Sequence, residues 1–118
     1  MSHILLIDDD SAICDVMGIV VTDLGHTLSI ISSFNDLKKK KKLAVDLILL
    51  DGTIGQHTGK EINKYLRKEL SLQKTPIIVF SADDKIEEMA EEIKAQGVLK
   101  KPFDMTQLEE IIVTHIRE

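Results

Sequence analysis

The sequence predicts an α/β fold in which a five-stranded parallel sheet is covered by helices on both faces. Short runs made entirely of apolar residues recur, as in Ile4–Ile7, Leu47–Leu50 and Ile77–Phe80, and such runs are typical of strands buried on both faces. Longer amphipathic segments separate these runs. Strands that alternate with helices in this way form parallel sheets with a helical layer on each side.

The first two predicted strands flank an amphipathic helix. Ile4–Ile7 is the first strand, and Ser11 is placed to cap a helix that runs from about Ala12 to Leu24. Apolar residues recur in that helix at three- and four-residue spacing, which puts them on one face. Gly25 favours the end of the helix, and Thr27–Ile31 is the second strand.

The segment from Asn35 to about Lys42 is the weakest predicted helix. Leu37 needs an apolar partner three or four residues later, and Lys40 and Lys41 occupy those positions. We therefore expect a short helix that is poorly anchored to the core. The run Lys38–Lys42 more often forms a solvated face than a binding site for nucleic acid or membrane.

The second half of the chain continues the alternation. Its predicted elements are, in order, the strand Leu47–Leu50, a turn-rich loop Gly52–Gly59, the helix Lys60–Leu70, the strand Ile77–Phe80, the helix Lys85–Gln96, the strand Gly97–Leu99 and the helix Phe103–Ile116. No linker or repeat divides the chain. We therefore expect residues 1–118 to form a single domain, with no output domain in this chain.

Composition excludes several classes of function. The chain has 118 residues, 20 of them acidic and 15 basic, so its formal net charge is −5, which argues against a general nucleic-acid binder. Its apolar runs fall short of the roughly 20 residues that span a bilayer, and its amino terminus lacks the basic region of a secretory signal. The lone Cys14 excludes an internal disulfide and a cysteine-based zinc site. These features predict a small cytoplasmic protein.

Polar residues follow four of the predicted strands. Asp8–Asp10 follow the first strand, Asp51 the third and Ser81 the fourth, and Lys100 and Lys101 follow the fifth. Ligand sites in open parallel sheets form at the carboxyl ends of the strands, so we expect these side chains at one edge. Asp8–Asp10 have an alternative interpretation as a solvated turn and helix cap, and Lys101 as a surface lysine.

The predicted carboxylate cluster needs a neutralising cation, because like charges repel one another. Mg²⁺ suits the cluster, since it takes oxygen ligands from a few carboxylates and retains water; Mn²⁺ is an alternative. Beside such a cation, Asp51 is a candidate nucleophile toward phosphorus that would form an acyl phosphate. A lysine and a hydroxyl would add charge neutralisation at the phosphoryl oxygens.

Four landmarks resemble the receiver domain of two-component response regulators, the CheY-like domains. They are Ile4-Leu5-Leu6-Ile7-Asp8-Asp9-Asp10, Leu47-Ile48-Leu49-Leu50-Asp51, Val79-Phe80-Ser81-Ala82 and Lys101-Pro102-Phe103. Their order and spacing fit the family, and the similarity covers essentially the whole chain. The resemblance implies a flavodoxin-like, doubly wound (βα)5 fold with strand order 2-1-3-4-5.

The resemblance also implies a phosphoacceptor and a metal site. Asp51 would take a phosphoryl group from a phosphohistidine on a sensor histidine kinase or a phosphotransfer protein. Asp8, Asp9 and Asp51 would hold Mg²⁺, and Thr53 would add its backbone carbonyl.

Two further residues are implied to bind the phosphoryl group. Ser81 would donate a hydrogen bond to it, and Lys101 would pair with its charge. Lys101 directly precedes Pro102, and the family usually has a cis peptide at this bond. Lys100 would point the other way.

The chain departs from the family pattern at two places. An aromatic switch residue is common where this chain has Val98, and a valine cannot move a ring into a vacated pocket. Met-Pro is common after the acceptor where this chain has Ile54-Gly55. With Gly52 and Gly59 nearby, we expect this loop to be unusually flexible.

Three functions are compatible with these residues. The first is a phosphoacceptor that catalyses only its own phosphorylation and dephosphorylation, and that switches the binding of an unknown downstream protein as a monomer or weak dimer. The second is a degenerate receiver that acts only as a protein-binding module. The third is a phosphatase similar to the haloacid dehalogenases, which however place the nucleophile after their first strand.

Overall fold

The computed structural model describes residues 2–70 and 72–116, without the side chains of Thr53 and Ile54. Its elements are, in chain order, β1 (His3–Ile7), α1 (Ser11–Asp23), β2 (Thr27–Ile31), α2 (Phe34–Lys38), β3 (Leu47–Asp51), β4 (Thr53–Ile54), β5 (His57–Thr58), α3 (Gly59–Lys68), β6 (Ile77–Ser81), α4 (Ile86–Glu92), β7 (Gly97–Lys100) and α5 (Met105–His115). In the described part of the chain, no helix has the length and apolar character needed to cross a membrane.

The central sheet contains five strands in the order β2-β1-β3-β6-β7. All neighbouring strands are parallel; Ile4 lies opposite Leu47, and Ile48 lies opposite Ile77. The predicted order 2-1-3-4-5 is confirmed, because β4 and β5 form a separate antiparallel pair outside this sheet. The three interior strands are apolar except for His3, Asp51 and Ser81 at their ends, since helices cover both of their faces.

Successive side chains of the interior strands point into two core layers. Leu5 and Ile48 point toward α2, α3 and α4, whereas Ile4 and Leu49 point toward α1 and α5. Each of these side chains is fully buried, and such burial is worth about 1.5–3 kcal/mol per large apolar side chain. The two layers hold the strands rigidly, so the residues at the strand ends are fixed relative to one another.

The first helix starts one residue earlier than predicted and has a different cap. Ser11 is its first residue, and Asp10 is the N-cap. The Asp10 carboxylate accepts hydrogen bonds from the amides of Ala12, at 2.9 Å, and Ile13, at 3.4 Å. The cap assigned to Ser11 is therefore wrong, because the Asp10 carboxylate satisfies two amides of the first turn.

The second helix is shorter than predicted but better anchored. It spans Phe34–Lys38 instead of continuing to Lys42. Leu37 is fully buried, and Phe34 lies on the same side of the helix, where it is 9% exposed. Phe34 precedes the start of the predicted segment, so a search for partners after Leu37 missed the anchor that lies three residues before it.

The fourth helix ends well before the predicted boundary. It spans Ile86–Glu92, and Lys94 has a positive φ of 57°. The amide of Ala95 donates to the carbonyl of Ala90 at 2.9 Å, which is the hydrogen-bond pattern of a Schellman C-cap. Glycine usually occupies the left-handed position of this motif. Because a lysine stands there in this chain, the sequence did not predict the end of the helix.

Candidate functional site

The carboxyl ends of β1, β3, β6 and β7 meet at one edge of the sheet, as predicted. Asp8 directly follows β1, Asp51 is the last residue of β3 and Ser81 is the last residue of β6. Lys101 directly follows β7 and donates its backbone amide to the Ser81 carbonyl at 2.9 Å. Because adjacent strands are parallel and in register, the sheet positions all four residues at the same edge.

Three carboxylates cluster at this edge. Asp8, Asp9 and Asp51 each place one carboxylate oxygen within 4.8 Å of the others. Asp8 is completely buried, Asp51 is 9% exposed and Asp9 is exposed. Three anionic side chains this close repel one another unless positive charge offsets them.

Only one of the two carboxylate oxygens of the buried Asp8 accepts a hydrogen bond among the described residues. Its Oδ1 accepts a hydrogen bond from the amide of Asp10 at 3.0 Å. Its Oδ2 is buried and, among the described residues, has no hydrogen-bond partner. A buried acceptor without a partner costs about 1–3 kcal/mol, and more when it is charged. The unsatisfied oxygen is therefore suited to a ligand that carries positive charge.

The donor set fits a hard divalent cation. Asp8, Asp9 and Asp51 offer carboxylate oxygens from two neighbouring strand ends, which is the ligand type that Mg²⁺ and Mn²⁺ take. Thr53 begins β4 two residues past Asp51, close along the chain to the cluster. The fit rests on the three carboxylates and on the unpartnered oxygen of Asp8.

Lys101 provides positive charge beside Asp51. Its Nζ lies 3.9 Å from Asp51 Oδ1, and the two side chains are 24% and 12% exposed. The ammonium also lies 5.1 Å from the centre of the Phe80 ring, which attracts cations through its face. The Lys101-Pro102 peptide is cis, as the resemblance implies, and Lys100 points away to pair with Asp84 at 3.3 Å.

Ser81 sits at the end of β6 against the backbone that follows Asp51. Its Oγ accepts a hydrogen bond from the amide of Asp83 at 3.0 Å. A Cβ placed on Gly52 would lie 3.1 Å from the Cβ of Ser81, which is too close for a side chain without movement. Gly52 thus allows the strand end carrying the hydroxyl to approach the strand end carrying Asp51.

The loop after Asp51 forms a short hairpin in the structure, and its flexibility stays a prediction. β4 pairs with β5 through Thr53 and Thr58, and the amide of Gly59 donates to the Gly52 carbonyl at 2.9 Å. A Cβ on Gly59 would lie 3.0 Å from the terminal methyl group of Met89. Gly52 and Gly59 are therefore explained by close packing, and the turn itself uses Gly55, whose φ is 59°.

One contact to the carboxylate cluster could not be predicted from the sequence. The amide of Gly55, in the turn of the hairpin, donates to Asp9 Oδ2 at 3.1 Å. Strands of two residues have no periodicity that a sequence pattern can reveal. The glycine at a turn was the available signal, and it could not indicate which side chain the turn contacts.

Val98 packs against the core, and Cys14 lies beside Asp8. Val98 lies on β7 opposite Val79 and is half-buried against the core layer beneath α2, α3 and α4. The Cys14 thiol on α1 lies 3.7 Å from the Asp8 carbonyl. Burial, and next the negative charge of Asp8, raise the pKa of the Cys14 thiol above its ordinary value. Cys14 is consequently a protonated neighbour of the site, not a thiolate ligand.

Sequence comparison identifies the family. Residues 4–113 match the family model described as response regulator receiver domain. The DNA-binding dual master transcriptional regulator RpaA of Synechocystis sp. is 30% identical over 114 residues, which cover 92% of this chain and 46% of that protein. The chain spans about half the length of the curated relatives it matches.

Solved structures share the fold. The chemotaxis response regulator CheY4 of Vibrio cholerae has a TM-score of 0.87 at 24% identity, covering 98% of this chain and 99% of that chain. The receiver domain of the sensor histidine kinase PA1611 from Pseudomonas aeruginosa PAO1 has a TM-score of 0.83 at 20% identity, covering 97% and 96%, and contains a magnesium ion in its active site cleft. These likenesses confirm the predicted flavodoxin-like fold.

Proposed function

The chain belongs to the response regulator receiver domain family of two-component signalling proteins, and we propose that Asp51 is its phosphoacceptor. The observation that carries the proposal is the position of Asp51 between opposite charges. A carboxylate oxygen of Asp51 lies within 4.8 Å of carboxylate oxygens of Asp8 and Asp9, and its Oδ1 lies 3.9 Å from the Lys101 ammonium. A cation on the acidic side would leave Asp51 flanked by positive charge, as attack on an anionic phosphoryl group requires.

The proposed reaction is a transfer between a nitrogen and an oxygen. A carboxylate oxygen of Asp51 attacks the phosphorus of a phosphohistidine on a sensor kinase or phosphotransfer protein. The phosphorus–nitrogen bond breaks, its electron pair returns to the imidazole, and an acyl phosphate forms on Asp51. Hydrolysis by this domain reverses the modification when water attacks the same phosphorus and the Asp51 carboxylate leaves.

We assign the charge neutralisation to two positive groups, of which the first is a bound divalent cation. Asp8, Asp9 and Asp51 would hold the cation, together with the backbone carbonyl of Thr53. Bound Mg²⁺, or Mn²⁺, would supply charge neutralisation at the phosphoryl oxygens. The second is the Lys101 ammonium, 3.9 Å from Asp51 Oδ1.

We assign Ser81 to a hydrogen bond with the acyl phosphate. Its Oγ accepts from the Asp83 amide, and a hydroxyl that accepts one hydrogen bond still has its proton to donate. Donation to a phosphoryl oxygen would draw the end of β6 toward Asp51. Since Ser81 leads directly into the segment before α4, this movement would change the surface that a downstream protein contacts.

The output is proposed to be protein docking in the cytoplasm, by a monomer or weak dimer. The chain is acidic overall, so we assign no direct nucleic-acid contact to it. RpaA is described as a DNA-binding regulator, and this chain matches less than half of that protein. The family match and the position of Asp51 after the third sheet strand argue against the haloacid-dehalogenase alternative.

The test is labelling by a small phosphodonor. The protein and its Asp51→Asn variant are incubated with acetyl phosphate and Mg²⁺, and the acyl phosphate is measured by intact mass and by its lability to hydroxylamine. We expect a label on the wild type that needs Mg²⁺ and is lost in Asp51→Asn. Asp10→Asn is the matched control, because asparagine caps a helix as well as aspartate does, and it should be labelled normally.

Two outcomes would contradict the proposal. Normal labelling of Asp51→Asn would place the acceptor elsewhere. A wild-type chain that binds Mg²⁺ but takes no label from acetyl phosphate or from a phosphorylated histidine protein would favour the degenerate receiver, whose role is binding alone.

A further inference from the structure

The hairpin after Asp51 reaches back to the carboxylate cluster. The amide of Gly55 donates a hydrogen bond to Asp9 Oδ2 at 3.1 Å, although the two residues are 46 positions apart. We propose that the Gly55 amide is a positioning group for the cation site and holds the Asp9 carboxylate in place for metal binding. This inference rests on the proposed role of Asp9 as a metal ligand.

Asp9 is the cluster carboxylate that most needs such a partner. Asp8 is completely buried and Asp51 is 9% exposed, so packing restricts both side chains. Asp9 is exposed in the loop between β1 and α1, and the negative charges of Asp8 and Asp51 repel it. An exposed carboxylate with repelling neighbours turns toward water unless a donor holds it, and Gly55 supplies that donor.

The donor is held rigidly by the base of the hairpin. β4 and β5 pair on either side of the turn, and Thr58 continues directly into α3, where it forms a capping box with Glu61. The Gly59 amide donates to the Gly52 carbonyl at 2.9 Å. These contacts hold both ends of the turn, so the backbone around the turn directs the Gly55 amide at Asp9.

Preorganisation of this kind has a measurable consequence for affinity. Groups that orient metal ligands without touching the metal typically change metal affinity 10- to 100-fold when they are removed. The Gly55 contact is exposed, so we expect an effect near the lower limit, about 10-fold. The maximal rate of Asp51 labelling should stay the same at saturating Mg²⁺, because the amide acts through Asp9 and does not contact the phosphoryl group.

The decisive experiment removes the N–H and keeps the turn. A semisynthetic chain in which an ester replaces the Ile54–Gly55 amide lacks the donor without adding a side chain at a φ of 59°. Mg²⁺ affinity is measured by calorimetry without any phosphodonor. We expect the ester chain to bind Mg²⁺ about 10-fold more weakly than wild type, and the Mg²⁺ concentration for half-maximal labelling to rise by the same factor.

Two substitutions at Gly55 give Mg²⁺ affinities to compare with that of the ester chain. Gly55→Asn keeps the N–H and tolerates a positive φ, so it should bind Mg²⁺ almost as tightly as wild type. Gly55→Pro removes the N–H, and it should bind at least as weakly as the ester. If the ester chain binds like wild type, or if Gly55→Asn loses as much affinity as the ester, the amide is not the positioning group.

Asp9→Asn separates this inference from the proposed function. If Asp9→Asn binds Mg²⁺ as wild type does, the metal role of Asp9 fails, and the inference fails with it. If Asp9→Asn binds weakly while the ester chain binds normally, only the role of Gly55 fails. Neither result depends on whether Asp51 accepts phosphate.

Discussion

The polar side chains at the two ends of the central sheet have different roles. At the amino ends of the strands, Gln96 Oε1 accepts the Ile77 amide at 2.7 Å, and the Arg67 guanidinium donates to the carbonyls of Leu72 and Thr75. These side chains hydrogen-bond to backbone groups at or just before the start of β6.

At the carboxyl ends, three carboxylates are crowded together. Asp8 Oδ2 is buried and, in the described part of the chain, has no hydrogen-bond partner, and two more carboxylates lie within 4.8 Å. We infer that the polar side chains at the amino end stabilise the fold, whereas the crowded carboxylates at the carboxyl end lower its stability until a cation binds. Substitutions at the two ends should therefore affect stability with opposite signs.

The largest expected effect comes from Asp8→Asn. We expect Mg²⁺ affinity to fall about 100-fold, equivalent to about 2.7 kcal/mol, because a buried anionic ligand is lost. The metal-free fold should become more stable by about 1–2 kcal/mol, because repulsion falls and an amide can donate to a neighbouring carboxylate. Calorimetry and urea unfolding in a metal chelator measure the two effects.

Asp10→Asn is the control for that prediction. It removes the same charge nearby but retains the helix cap, so its Mg²⁺ affinity should stay close to that of wild type. A metal-free Asp8→Asn protein that is less stable than wild type would show that repulsion among the carboxylates does not destabilise the metal-free fold.

Arg67→Ala should have the opposite signature. The guanidinium donates to the Thr75 carbonyl at 2.7 Å and also to the Leu72 carbonyl, and burial lowers the pKa of Arg67 from its ordinary value. Hydrogen bonds to charged groups contribute about 1.5–3 kcal/mol, so we expect a loss of about 2 kcal/mol in urea unfolding. Mg²⁺ affinity should be unchanged. Lys68→Ala, an exposed neighbouring cation, should cost little, and an equal loss there would contradict the assignment.

Gln96→Ala tests a weaker contact at the same end of the sheet. The substitution leaves the Ile77 amide without its side-chain acceptor, which should cost about 1 kcal/mol. Gln96→Glu retains an acceptor oxygen and should cost less. Slow amide exchange of Ile77 in wild type and Gln96→Glu, with fast exchange in Gln96→Ala, is the expected pattern. Equal exchange in all three proteins would show that this bond does not protect the strand.

The fold was predictable from sequence because the interior strands are apolar on both faces. Ile4–Ile7, Leu47–Leu50 and Ile77–Phe80 each lie within the strands that the structure contains, and the strand ends place Asp51 and Lys101 together. Strands of a buried parallel sheet appear in the sequence as continuous apolar runs. Because ligand sites in such sheets form at the carboxyl ends of the strands, the residues that follow these runs indicate the candidate site.

The errors lie at helix ends, where one residue decided the boundary or the anchor: Asp10 in α1, Phe34 in α2 and Lys94 after α4. Gly52 and Gly59, which favour flexibility in the sequence, also pack closely against Ser81 and Met89. The contact between Gly55 and Asp9 spans 46 residues, and no local pattern encodes it. The periodicity of apolar residues predicts which face of a helix or strand is buried, but it does not predict which loops contact each other.

The smallest expected effect is a pH dependence at Glu61, an acid close to the hairpin that does have partners. A hydrogen bond from His57, at 3.0 Å, and one from the Thr58 amide lower the pKa of Glu61 below its ordinary value of 4.5. A lowered folded-state pKa stabilises the fold above the unfolded pKa, and this contribution disappears as the pH falls through the folded pKa.

Glu61→Gln keeps a capping acceptor and removes the charge. Its stability deficit against wild type should be constant well above the ordinary pKa and disappear as the pH falls through the lowered folded-state pKa, measured by urea unfolding beside Glu69→Gln as a control. A deficit that grows on acidification would contradict this sign. If the sign holds, a carboxylate beside the functional edge stabilises the fold when it is paired, so the missing partners of Asp8, and not negative charge alone, mark the site.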